Sequence, residues 1–153
     1  DLLLAVLIGS AIMVPTQFYF SAYSDRNGRK GVFMAGAALT AMWAFAIFPL
    51  MASGSFILAV LAIAVGLTFL GMMYGPQAAF FAELFSTEVR YSGASLGYQL
   101  GAIIGGSFAP IIATLLWKNY DIFWVSVYIA FASTLSLISV YMLTETFQKD
   151  LND

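Results

Sequence analysis

The sequence has no cysteine and no histidine, and only 9% of its 153 residues are charged. Without cysteine it has no disulfide, no thiolate metal site and no cysteine nucleophile. Without histidine it lacks the usual proton shuttle and the commonest metal ligand. Six basic and eight acidic side chains are too few to cover a water-soluble globule, since soluble domains carry about 25% charged residues. A net charge of −2, with no basic cluster outside short loops, gives no support to a nucleic-acid partner. What is present is apolar: 61% of the residues are hydrophobic, enough for several bilayer spans of about 20 residues each. The class is therefore an all-α, multi-pass integral membrane protein whose first partner is the lipid bilayer.

The few charges mark where the spans end, because an ionisable group in hydrocarbon is costly. Residues 2–24 are uncharged, and Asp25 to Lys30 then holds four charges in six residues. Residues 31–82 carry none, which suits two spans joined at Ala52-Ser53-Gly54-Ser55. Glu83 to Arg90 forms the next charged stretch, and Lys118 to Asp121 the last short turn before a polar tail. The expected spans are 2–24, 31–51, 56–81, 92–117 and 122–144, with a tail at 145–153. Counting Lys and Arg on alternate loops puts Arg26, Arg29, Lys30, Arg90 and Lys149 on one side against Lys118 on the other. The positive-inside rule then makes the first loop and the C-terminus cytoplasmic. Asp1 falls outside, with neither Met nor a signal peptide before it, so earlier spans are expected upstream.

Glycine marks two helix faces. Gly93, Gly97, Gly101 and Gly105 recur every fourth residue in the fourth span, and Gly71, Gly75 and Ala79 make a shorter row in the third. Small residues let helix backbones approach closely in lipid, so both rows are expected to be packing seams. A smooth seam also lets helices rock against each other, as alternating access requires.

Residues 24–30 read Ser-Asp-Arg-Asn-Gly-Arg-Lys. On its own this is a tight turn, with Gly28 free to adopt positive φ and a basic trio, Arg26, Arg29 and Lys30, anchoring the loop. The stretch resembles the D-R-x-G-R-[KR] core of the cytoplasmic loop motif of the major facilitator superfamily. Residues 82–99, Ala-Glu-Leu-Phe-Ser-Thr-Glu-Val-Arg-Tyr-Ser-Gly-Ala-Ser-Leu-Gly-Tyr-Gln, resemble the segment linking helices ten and eleven in its metabolite:proton symporters. That family includes dicarboxylate, citrate, shikimate and proline/betaine permeases. Leu143-Thr144-Glu145-Thr146 is similar to the ending of helix twelve. The resemblance covers nearly the whole chain and implies helices eight to twelve of a twelve-helix fold, that is, a fragment. Two positions depart from the pattern: Ser21 stands where the loop motif has Gly, which predicts slightly relaxed packing there, and Ser86 where the linker has Pro.

In the carriers it resembles, such residues form a cytoplasmic charge network that opens and closes with the cavity. By position this implies gating roles for Asp25, Arg26, Gly28, Arg29 and Lys30 in the loop, Glu83 and Arg90 in the linker, and Glu145 on the last helix. The plainer alternative is that they only set topology. The expected spans hold no ionisable residue other than Tyr, so the proton-coupling group and any charged substrate anchor are expected in the absent N-terminal helices. Uncharged polar residues, Gln17 near Pro15, Tyr74 and Gln77 around Pro76, and Tyr98 with Gln99, are candidates for a substrate pathway. An enzyme is not expected: no nucleophile–base pair or metal cluster is there to build one. The expectation is proton symport of a small organic acid or zwitterion across the inner or plasma membrane. No cofactor is expected beyond the proton gradient. The competing expectation is a non-transporting, truncated or structural membrane module.

Overall fold

Residues 1–144 are described in a computed structural model, and the tail with Glu145 lies outside the described residues. Five helices follow in order: α1 Leu2–Asn27, α2 Arg29–Ala52, α3 Phe56–Glu83, α4 Arg90–Asn119 and α5 Ile122–Tyr141. All five are long and apolar enough to cross a membrane. The shortest, α5, has 20 residues, or about 30 Å at about 1.5 Å per residue, the thickness of the hydrocarbon core. Helix is the form such runs must take, because only helices and closed barrels satisfy every backbone hydrogen bond in lipid.

The helices run past the uncharged segments at most ends. Asp25 and Arg26 sit in the last turn of α1, Glu83 closes α3, and Arg90 opens α4. Backbone hydrogen bonding does not stop at the hydrocarbon boundary, so charge marks the membrane edge and not the helix end. What ends α1 is Gly28, whose φ of 108° is open to glycine and strained for other residues. Its N–H bonds the Ser24 carbonyl at 3.0 Å, and Arg29 then starts α2. At the opposite end Asp121 caps α5, its carboxylate accepting from the Ile122 N–H at 2.7 Å.

α3 is the central element, with α1 on one side and α2 on the other, and α2 in turn packs on α5. Among the described residues, α4 touches only α3 and α5 and has no buried residue. Phe33, Phe80 and Val140 form a buried cluster that ties α2, α3 and α5 together towards the charged end. Farther along, the Trp43 indole N–H donates to the Ala62 carbonyl at 2.9 Å and joins α2 to α3.

The two glycine rows behave differently. A Cβ added at Gly75 would lie 2.8 Å from the Gln17 carbonyl oxygen and 2.9 Å from the Ser21 nitrogen, so α1 and α3 approach there to backbone contact. This corrects the expectation of relaxed packing at Ser21: the room comes from the glycine on the opposing helix. The long row does not pack the same way among these five helices. Gly93 lies against the Phe85 ring, but a Cβ at Gly97, Gly101 or Gly105 would meet nothing within 4 Å.

Candidate functional site

The charged end of the bundle is organised around Arg29. Its position in the first turn of α2, directly after Gly28, brings it between the end of α1 and the end of α3. The guanidinium Nε donates to Glu83 Oε1 at 2.7 Å, and Nη1 pairs with Asp25 Oδ1. Arg29 and Glu83 keep only 14% and 10% side-chain exposure, whereas Asp25 keeps 54%. The inner pair is thus largely withdrawn from water, where Coulomb attraction is stronger and both desolvation and rupture cost more.

The other motif residues engage differently. Lys30 Nζ reaches across to α5, donating to the Tyr141 carbonyl at 2.8 Å and to the Leu143 carbonyl, with the Tyr141 ring centroid 5.4 Å away. The last carbonyls of a helix lack partners within it and carry negative partial charge, so a cation there satisfies both. Arg90 Nε donates to the carbonyls of Ala82, at 3.0 Å, and Phe85, at 3.4 Å, and so closes the turn between α3 and α4. Arg26 is exposed. The carbonyl partners of Lys30 and Arg90 left no signal in the sequence, since every residue carries a carbonyl.

Three pathway candidates come together. Tyr74 and Gln77 of α3 and Tyr98 of α4 line a cavity of about 580 Å³, with Gly97, Gly101 and Gly105 forming much of its α4 wall. Gln17 lies elsewhere, its backbone pressed against Gly71 and Gly75, and Gln99 is exposed outside that lining. The glycine row borders this cavity, a role sequence reasoning missed. The clue was present in Tyr98, which follows directly on Gly97, and in Gln77, which lies one turn from Tyr74. No group of three or more acidic residues that could hold a metal ion occurs among the described residues.

The sequence profile of the Major Facilitator Superfamily matches residues 2–152. The chain belongs to the major facilitator superfamily. The superfamily chain is similar to the inner membrane metabolite transport protein YhjE of Escherichia coli K12, with 37% identity over 98% of this chain and 34% of that protein. The shikimate transporter of the same organism is 29% identical over 94% of this chain and 33% of its own length. The citrate-proton symporter of Klebsiella pneumoniae is 34% identical over 62% of this chain and 22% of its own. No solved structure matches. This superfamily member spans about a third of the length of the first two of these relatives. The names are those of transporters and not of enzymes, and with five crossing helices the chain is a multi-pass membrane protein.

Proposed function

We propose that the chain forms the latch-bearing part of a secondary carrier that moves a small organic acid or zwitterion by alternating access, with protons as the coupling ion. The observation that carries this reading is the Arg29–Glu83 bond, which with Asp25 ties three helix ends at one face of the bundle. A two-state carrier needs a contact that is made in one state and lost in the other, and a few kcal/mol of differential stability suffices to move such an equilibrium. The cavity at Tyr74, Gln77 and Tyr98 supplies uncharged hydrogen-bonding groups for a polar solute. The proton-binding acid and any cationic anchor belong to helices outside this chain, because the described charges sit at helix ends and in turns. The reading places the latch face and the C-terminus on the cytoplasmic side of the inner or plasma membrane, which the distribution of Lys and Arg supports.

The test is uptake by the full-length protein in liposomes. A panel of labelled dicarboxylates, citrate, shikimate, proline and betaine is offered with and without an inward pH gradient. Accumulation of one class that depends on the gradient supports the reading. Uptake that ignores the gradient removes proton coupling, and no uptake of any solute leaves a structural module as the better account.

A further inference from the structure

Pro15, Pro49, Pro76 and Pro110 all stand inside helices. A proline has no N–H, so within a helix the carbonyl four residues earlier loses its ladder partner, and the ring crowds it aside. The carbonyls released in this way are those of Ala11, Phe45, Met72 and Gly106. Of these residues, Gly106 lines the cavity that holds Tyr74, Gln77 and Tyr98. It lies near the middle of α4, Arg90–Asn119, at a depth where lipid offers no donor in place of the missing one.

The surroundings leave this carbonyl accessible. A Cβ added at Gly105 or Gly106 would meet nothing within 4 Å. The Thr114 hydroxyl, on the turn after Pro110, donates to the Pro110 carbonyl at 2.7 Å and so serves a different group. The cavity thus carries two kinds of polar group. The Gln77 amide and the hydroxyls of Tyr74 and Tyr98 can donate, whereas the Gly106 carbonyl can only accept. The faces of the two tyrosine rings and of Phe81, which lines the same space, are electron-rich and attract cations. The lining residues include no Lys or Arg. A carboxylate placed against the Gly106 carbonyl would be repelled, while an ammonium N–H is matched to both the carbonyl and the rings.

Resting on the carrier reading above, we propose that the Gly106 carbonyl, released by Pro110, is a solute-binding acceptor and that this wall takes the ammonium end of a zwitterion through its N–H. Of the two solute classes, acid and zwitterion, the wall selects the zwitterion, and among zwitterions those whose nitrogen keeps a hydrogen. Pro110 is a positioning residue, acting on the solute by withholding an N–H from Gly106.

Uptake by the full-length protein in liposomes tests this, with proline, N,N-dimethylproline and succinate as probes. The ammonium of proline donates hydrogen bonds, that of its dimethyl derivative cannot, and succinate has a second carboxylate in its place. Wild type is expected to carry proline, with the dimethyl derivative competing about tenfold more weakly, as for the loss of one hydrogen bond to a charged group. Pro110→Ala returns the helix partner to Gly106. It should raise the KM for proline about tenfold and erase the preference over the dimethyl derivative, with kcat close to wild type and no fall in melting temperature. A second variant keeps Pro110 and its bend: the α-hydroxy analogue of serine at position 107 turns the Gly106–Ser107 amide into an ester, whose carbonyl accepts more weakly, and should raise KM in the same direction. The proposal is overturned if both variants keep the wild-type KM and preference, or if Pro110→Ala lowers kcat alone, which would make the proline a hinge. Uptake of succinate and not of proline overturns it while leaving the carrier reading intact. No uptake of any solute in the wider panel removes the carrier reading and the proposal with it.

Discussion

Arg29 Nε and Glu83 Oε1 lie 2.7 Å apart although the two residues are 54 positions apart in the chain. The bond joins the first turn of α2 to the last residue of α3, at side-chain exposures of 14% and 10%. Asp25, on the outer side of the same guanidinium, is 54% exposed. The two carboxylates therefore differ in what their loss costs.

Glu83→Gln is expected to be the severe substitution. Removing one partner of a mostly buried pair costs about 3–5 kcal/mol, while an exposed pair is worth about 0.2–1 kcal/mol. In the full-length protein Glu83→Gln should lower the melting temperature by several degrees more than Asp25→Asn and reduce uptake about tenfold further, whereas Asp25→Asn should slow uptake and still insert. Equal effects of the two variants would contradict the ranking. Unchanged uptake kinetics in Asp25→Asn would reduce that residue to a topology signal.

Lys30 reads in the sequence as one more positive-inside charge, but it holds the end of α5 through the carbonyls of Tyr141 and Leu143. Lys30→Met keeps the aliphatic stem and removes the donor. Hydrogen exchange at residues 138–143 should rise in the variant, by a factor matching the loss of about 1–3 kcal/mol for hydrogen bonds to a charged group. Exchange that stays at the wild-type rate would mean that α5 ends there without help.

The glycine rows give a paired test. Gly75→Ala places a methyl 2.8 Å from the Gln17 carbonyl oxygen, an overpacking that costs about 1–3 kcal/mol. Gly101→Ala meets nothing within 4 Å, so stability should hold or rise by up to about 1 kcal/mol through helix propensity. Gly101→Leu should instead weaken uptake by intruding on the cavity beside Tyr98. If Gly101→Ala unfolds the full-length protein, the row packs against a helix outside residues 1–144.

Thr40 Oγ1 is buried and has no hydrogen-bond partner among the described residues. Thr16, Thr68, Thr114 and Thr134 each bond the carbonyl four residues earlier, at 2.7–3.0 Å. An unpaired buried hydroxyl costs about 1–3 kcal/mol, and an apolar replacement of the same shape recovers much of it. Thr40→Val should therefore raise the melting temperature by a few degrees. A fall would show that the hydroxyl has a partner in the membrane-embedded protein.

The number of spans, the places where they turn and the family were all legible in one dimension. Lengths of uncharged sequence, the positions of fourteen charges and a run such as Asp25 to Lys30 need no neighbour to be recognised. The expected spans accordingly fall within α1 to α4, and only at α5 does the helix end sooner, at Tyr141 and not Thr144. Of the pathway candidates, Tyr74, Gln77 and Tyr98 share one cavity, while Gln17 and Gln99 lie outside its lining. Tertiary structure alone decided which glycine row packs closely among these five helices and which borders a cavity there, that Arg29 pairs with Glu83, and that Lys30 finds α5. The reason is geometric. A four-residue spacing defines a face of a helix, but not the direction in which that face is turned or what lies opposite. Those depend on the rotation of each helix against partners distant in the chain, which close contacts such as Gly75 against Ser21 set.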